Sequence, residues 1–310
     1  MNKLVSFIVP VYFEEECIEQ FIFEVTQQIT SLPYDFEFVF IDDGSKDNTV
    51  QLIEKHAKIN NRIKLIEFSY NQGKQAAVSA GIAYASGDYL LYMDPDLQDP
   101  PDEIINFLTK IEEGYDVVYG VRKEKMDSFV NKIFSKLFWG TLRRYTGLDI
   151  PKGLAVMRIF NRKFANTFLE YSEQNRFIEG IFFHIGQKRT NIEIHQRNRF
   201  AGTSKFNFKK KMQLAFDAIF DFSELPLKLA VKTGVVFSIV GFFSLLCILI
   251  LRFFIDFAAG WPSIISAIIL SLGLNLFFIG IAAIYIGKIY KETKKRPLFS
   301  IKNTINIDVK

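Results

Sequence analysis

The chain has 310 residues, 49% of them hydrophobic and 15% aromatic, with 33 phenylalanines, enough for one large domain plus an accessory element. Its formal net charge of +4 is small for that length and argues against a dedicated nucleic-acid binder. Two cysteines, Cys17 and Cys247, suggest neither a disulfide framework nor a metal knuckle, and fit a reducing, cytoplasmic location.

Met1-Asn2-Lys3 leads directly into an apolar run and does not read as a signal peptide. Leu4 to Val9, closed by Pro10, reads as a buried strand. Glu14 to Ile29 reads as an amphipathic helix, with Ile18, Phe21, Ile22, Val25 and Ile29 on one face. Phe36 to Ile41 is a second strand, ending in Asp42-Asp43-Gly44-Ser45. Thr49 to Ala57 follows as helix, Ile63 to Phe68 as strand and Gln75 to Ala85 as helix. Tyr89 to Met93 is the next strand, ending in Asp94-Pro95-Asp96. Pro100-Pro101 opens a helix for which Asp99 is the expected N-cap, and Asp116 to Val121 is a fifth strand that Arg122 ends. Strand and helix alternate throughout, which predicts an α/β domain over residues 1–205 with a mostly parallel sheet and helices on both faces.

The composition then changes. Residues 206–232 read as interfacial helix, with Met212, Ala215, Phe216, Ile219 and Phe220 on one face and Lys209, Lys210 and Lys211 at its start; an ordinary packing helix is the alternative. Pro226 should end or bend it. Thr233 to Leu251 and Ser263 to Gly287 are uncharged runs of 19 and 25 residues, long enough to cross a hydrocarbon core as helices, so 233–287 is a two-helix membrane region. Lys and Arg on both outer flanks place them inside, the link outside and 288–310 as a cytoplasmic tail, which makes this a multi-pass protein. Lys132, Arg143 and Arg144 lie on a further amphipathic stretch that reads equally as lipid-facing or as surface helix.

In such sheets ligands bind beyond the carboxyl ends of the strands. Glu14, Asp42-Asp43 and Asp94/Asp96 each follow a strand end and should converge on one crevice. Crowded carboxylates repel unless a cation or hydrogen-bond donors compensate, which points to a divalent metal. The bland alternative for Asp42-Asp43-Gly44-Ser45 is a polar turn. The histidines, His56, His184 and His195, have no metal-ligand spacing and read as structural.

Five segments in order carry a resemblance: Ile8-Val-Pro-Val-Tyr-Phe-Glu-Glu15, Asp42-Asp-Gly-Ser45, Asn71-Gln-Gly-Lys74, Asp94-Pro-Asp-Leu-Gln-Asp-Pro-Pro101 and Arg199-Phe-Ala-Gly-Thr-Ser-Lys-Phe206. With Arg176-Phe177 and the two-span tail, the chain resembles the inverting family 2 glycosyltransferases with a GT-A (Rossmann-like) nucleotide-binding domain. Within them it is similar to the polyprenyl-phosphate branch: bactoprenol glucosyltransferases, undecaprenyl-phosphate aminoarabinose transferases and dolichol-phosphate mannose synthase.

The resemblance implies transfer of one sugar from a nucleotide diphosphate sugar, a UDP-sugar first among candidates, to polyprenyl phosphate at a bacterial inner membrane, in chains whose spans often pack as homo-oligomers. It implies that Pro10, Tyr12, Glu14, Ile41, Asp43, Lys74 and Met93 bind the nucleotide sugar. Asp94 and Asp96 hold Mg²⁺ or Mn²⁺, Gln98 contacts the sugar or its phosphates, and Arg122, Arg158, Arg199 and Lys205 hold the diphosphate or the acceptor phosphate. There is one departure. Glucosyltransferase relatives carry Gly-Asp-Phe-Arg where this chain reads Ala155-Val156-Met157-Arg158, so Val156 stands in place of an Asp proposed there as base. The competing readings are a polysaccharide synthase, a phosphosugar transferase and a non-catalytic scaffold.

Overall fold

The computed structural model describes residues 2–122, 150–174, 176–185, 188–197, 200, 225–251, 254 and 260–307. The described residues fall into two compact units. One takes those up to 200 together with those from 296 onward, and the other those from 225 to 295.

The first unit is built on strands β1 (Leu4–Val11), β2 (Asp35–Asp42), β3 (Ile63–Phe68), β4 (Tyr89–Tyr92), β5 (Val117–Arg122), β6 (Leu154–Asn161), β7 (Arg189–Ile194) and β8 (Ile301–Ile305). They form one eight-stranded sheet in the order β7-β5-β6-β4-β1-β2-β3-β8. The β1–β2, β1–β4, β2–β3 and β5–β7 pairs are parallel, and β6 and β8 run against their neighbours. The sheet is thus mostly parallel but mixed, the GT-A arrangement. β6 to β8 are not apparent from the alternation that marks the first five strands.

β1 and β2 are buried along nearly their whole length because helices cover both faces, which explains their continuous apolar runs. Phe7 stacks on Phe38 with ring centroids 5.0 Å apart, and Phe38 stacks on Phe40 at 6.2 Å. Each fully buried phenylalanine of this kind contributes about 1.5–3 kcal/mol of transfer free energy. Helix α1 (Ile18–Ile29) buries the five residues its periodicity selects. Helix α2 (Thr49–Ile59) lies between β2 and β3, and α3 (Lys74–Tyr84) between β3 and β4. The buried residues of α3 include the small Ala77, Ser79, Ala80 and Gly81 beside Val78 and Ile82, and at Gly81 the helix lies close to the strands. A Cβ at Gly81 would stand 2.5 Å from Ile8 Cγ2 and 2.6 Å from Ile41 Cδ1. That close seat aims the first residue of α3, Lys74, at the carboxyl rim of the sheet. A short turn at Pro101–Glu103 leads into α4 (Ile104–Glu112), and α5 (Arg162–Glu170) and α6 (Ile178–His184) follow β6.

Asp99 is not the cap of the helix after Pro100, and no side-chain hydrogen bond caps that helix. Its carboxylate instead accepts from Arg122 Nε at 3.0 Å, Arg122 Nη2 at 2.7 Å and the Met157 amide at 2.9 Å, tying the ends of β4, β5 and β6 together. A buried carboxylate meets a guanidinium and an amide more favourably than a helix end that water can serve.

The second unit contains α7 (Leu225–Leu251) and α8 (Trp261–Thr293). Pro226 lies within α7, whose described residues begin eight ahead of the expected span. The stretches Pro226–Ser244 and Ala267–Thr293 are long and apolar enough to cross a membrane, with mean hydropathies of 1.6 and 2.4, and neither is buried within the chain. Phe242, Phe277 and Ile279 stand more than half exposed. Among the described residues neither helix is packed into a core. The expected interfacial helix up to residue 224, and Lys132, Arg143 and Arg144, lie outside the described residues.

After α8, part of the segment expected as a cytoplasmic tail is a strand. Residues 301–305 add to β3 as the edge strand β8, a partner that lies more than 230 residues away in the chain.

Candidate active site

The rim formed by the carboxyl ends of β1, β2 and β4 holds the acidic clusters. Asp42 ends β2, and its Oδ2 accepts from the amides of Gly44 (3.1 Å) and Ser45 (2.9 Å). Asp42 is thus the turn-former. Asp43 turns the other way: its carboxylate accepts from the Gln72 amide at 2.6 Å and from the Gly73 amide at 2.9 and 3.1 Å. Two glycines allow the approach. Gly44 sits at φ +79°, where a Cβ would meet the Asn71 nitrogen at 2.9 Å, and Gly73 at φ +92° precedes α3. Lys74 then donates to Asp94 Oδ2 at 2.6 Å. Through the Asn71–Lys74 loop the structure brings Asp43, Lys74 and Asp94 to one place.

The electrostatics follow from burial. Desolvation pushes the carboxyls of Asp42 and Asp43 above the ordinary aspartate range, against the pull of the backbone amides they accept from. For Lys74 burial alone would lower the affinity for its proton; the Asp94 carboxylate outweighs it and holds the ammonium above the usual lysine value. Tyr92, beneath them in β4, is pushed up by its burial and stays a neutral phenol.

The Asp94–Asp99 loop is held from the far side of the sheet. Leu97 adopts φ +57°, the Gln98 amide donates to Asp96 Oδ1 at 3.1 Å, and the amides of Arg197 and Phe200 donate to the carbonyls of Gln98 (3.0 Å) and Asp96 (3.2 Å). The segment after β7 therefore lies against the D-x-D loop. Arg199 and Lys205 lie outside the described residues. Tyr12 is half-buried, with its ring edge-on to Phe13 at 4.5 Å, and the Glu14 amide donates to Thr49 Oγ1 at 2.9 Å.

The structure places the other expected residues as follows. Pro10 and Ile41 lie buried in β1 and β2, and Met93 is buried just past the end of β4. Arg122 is engaged by Asp99. Arg158 is 1% exposed, with its guanidinium 5.2–5.8 Å from the ring centroids of Tyr92, Tyr119 and Phe182. Its Nε and Nη2 donate to the carbonyls of Val156 (3.0 Å) and Ala155 (3.2 Å). Without ligand, Arg158 is thus packed as a buried cation among rings and carbonyls. Position in a motif identifies the residue type but not which side of the sheet it faces. Glu179, in the first turn of α6, lies 3.7 Å from Arg158 Nη2 and stays about one-third exposed. Its only sequence signal is its closeness to Arg176-Phe177.

Among the described residues no three His, Cys, Asp or Glu side chains form a ready metal cage. The D-x-D pair fits a hard divalent cation nonetheless, because magnesium is commonly held by one or two carboxylates together with substrate phosphates. Asp94 and Asp96 offer oxygen donors two residues apart at a strand end, beside a lysine and the N-terminus of α3 that suit phosphate.

Residues 6–169, the segment that builds this rim, match the family described as Glycosyl transferase family 2. The chain belongs to that family. The glycosyltransferase YkcC of Bacillus subtilis is 37% identical over 98% of this chain and 95% of its own length. The undecaprenyl-phosphate 4-deoxy-4-formamido-L-arabinose transferase of Proteus mirabilis is 30% identical over 99% of this chain and 95% of its own. Among solved structures, glucosyl-3-phosphoglycerate synthase of Mycobacterium tuberculosis, in complex with Mg²⁺ and uridine diphosphate, superposes with a TM-score of 0.50 at 17% identity. That match covers 70% of this chain and 77% of that one, and it supports the shared fold. The protein is a family 2 glycosyltransferase.

Proposed function

We propose that this glycosyltransferase moves a single sugar, with inversion, from a nucleotide diphosphate sugar to polyprenyl phosphate at the cytoplasmic face of a bacterial inner membrane. The observation that carries the reading is the rim joining Asp43, Lys74 and Asp94 in a chain that also holds two helices of bilayer-spanning length. The near full-length similarity to an undecaprenyl-phosphate sugar transferase supports the lipid acceptor.

In this reading the base and ribose lie by Tyr12, Glu14 and Asp43, and the diphosphate lies by Lys74 and the start of α3. Asp94 and Asp96 hold Mg²⁺ or Mn²⁺, which supplies charge neutralisation to the departing diphosphate. Gln98 faces the sugar, and Arg199 and Lys205 hold the acceptor phosphate. The acceptor oxygen attacks the anomeric carbon from the face opposite the diphosphate, and the anomeric C–O bond breaks to release nucleoside diphosphate. A phosphate monoester has its second pKa at about 6, so the nucleophile is largely deprotonated at neutral pH. Val156 in place of an acid is then tolerable, and catalysis rests on positioning and leaving-group stabilisation.

The test is turnover by the detergent-purified chain given undecaprenyl phosphate, Mg²⁺ and a panel of nucleotide sugars. The expected products are a polyprenyl-phosphate sugar and nucleoside diphosphate. Release of nucleoside monophosphate would make it a phosphosugar transferase, a growing polymer a polysaccharide synthase, and no turnover with any donor a scaffold.

A pH dependence follows from Asp43. Because burial raises its folded-state pKa, Asp43 takes up its proton at a higher pH than an unperturbed aspartate, which titrates at about 3.9. Donor affinity that needs the ionised carboxylate is therefore lost on acidification before that value is reached, and Asp43→Asn abolishes this acid limb. The stability linkage runs the opposite way. A raised carboxyl favours the folded state fully below its unfolded pKa, and that contribution disappears as pH rises through the folded value. Donor titrations and thermal unfolding across the same pH range separate the two.

A further inference from the structure

The Asn71–Lys74 loop is anchored on two sides. Its main chain holds Asp43 through the amides of Gln72 and Gly73, and Lys74 holds Asp94. The Gln72 side chain faces away from Asp43, toward the carboxy-terminal segment. Its Nε2 donates to the Ser300 carbonyl at 3.1 Å, and the Ser300 amide donates to its Oε1 at 2.9 Å, across 228 residues of sequence.

This pairing sits where the β3–β8 ladder ends. β8 runs antiparallel to β3, so its first residue lies at the same rim as Asp43, and the ladder is irregular between Glu67 and Phe68. Past that break the Ser69 amide donates to the Ser300 carbonyl at 3.1 Å, and the Gln72 amide group supplies the bonds a further strand residue would make. Phe299 stacks on Phe68 with centroids 5.8 Å apart and planes 6° from parallel, and Lys302 pairs with Glu67 at 2.5 Å. The tail is held along its length and ends at one side chain of the loop.

We infer that Gln72 is a positioning residue for the donor site, and that the carboxy-terminal segment Phe299–Ile305 acts through it to hold the Asn71–Lys74 loop in its binding geometry. This rests on the reading that the donor nucleotide binds at Asp43. Gln72 touches no substrate in this scheme. It fixes the two amides that orient the Asp43 carboxylate and the start of α3.

The experiment measures donor and acceptor KM, kcat and thermal midpoint for the full-length chain and its Gln72→Ala, Phe299→Ala, double and Asp43→Asn variants. Losing two such hydrogen bonds is expected to raise donor KM about five- to ten-fold in Gln72→Ala. Saturated kcat should stay within about two-fold and polyprenyl-phosphate KM should not move, while the melting temperature should fall by no more than a few degrees. Phe299→Ala should raise donor KM in the same direction, and the double variant should not exceed Gln72→Ala alone, since both act on one loop. Additive effects, or equal loss toward both substrates, would overturn the inference. If Asp43→Asn weakens the donor while Gln72→Ala does not, the inference fails and the donor-site reading stands. If neither weakens it, the donor-site reading itself fails.

Discussion

Replacing Asp96 by Asn is expected to leave the protein folded and to remove all but about one part in a hundred to one in a thousand of its turnover, the range seen when a preorganised electrostatic contact to developing charge is lost. The fold should tolerate the change because an asparagine oxygen can also accept the Gln98 amide, which donates to Asp96 Oδ1 at 3.1 Å. Asp96 is 6% exposed and held in a loop fixed by Leu97 at φ +57° and by the Phe200 amide, so the variant has little room to rearrange. What disappears is the negative charge. A neutral amide is a poor magnesium ligand, and without the cation the charge building on the departing diphosphate faces Lys74 and the helix terminus alone. The measurement is steady-state release of nucleoside diphosphate beside a thermal melt. A variant that melts like the parent and turns over within about three-fold of it would remove Asp96 from the chemistry.

Arg158→Ala should instead destabilise the first unit by about 3–5 kcal/mol, the cost typical of emptying a large buried site. The guanidinium lies among Tyr92, Tyr119 and Phe182, donates to the Val156 and Ala155 carbonyls and faces Glu179. Truncation opens a cavity between β4, β5, β6 and α6 and leaves two carbonyls and a part-exposed carboxylate without their cation. Arg158→Met, which fills the same volume without charge, should recover most of the loss, because a buried ionic group can often be exchanged for a well-packed apolar one. Denaturant unfolding of the three proteins checks this. If Arg158→Met unfolds like the parent yet cannot turn over donor, the arginine serves substrate and not structure.

The legible part of the fold was the part with a local period. Ile18, Phe21, Ile22, Val25 and Ile29 announce α1 at helical spacing, and the apolar runs of β1 to β5 announce strands covered on both faces. The acidic residues just past β2 and β4 could be placed on one rim from chain direction alone, since parallel strands put their carboxyl ends on one side. β6, β7 and β8 were harder because antiparallel and edge strands lack the strand–helix alternation that gives the others away. Asp99 shows the limit at the level of one side chain. Before a proline-led helix it reads as a cap, and only the folded position of Arg122 and Met157 claims it for another purpose.

By itself, then, the sequence determined the family, the alternating α/β domain, the acidic rim and the two apolar helices, because each rests on residues close together in the chain or on composition. Tertiary structure alone decided which of those residues face the rim and which face the core. It buried Arg158 and Met93, pinned Arg122, and made part of the expected cytoplasmic tail a strand beside β3, with Ser300 just ahead of it meeting Gln72. Such pairings join segments tens to hundreds of residues apart, and a side chain's partner across that distance depends on register and strand direction, which no local pattern encodes.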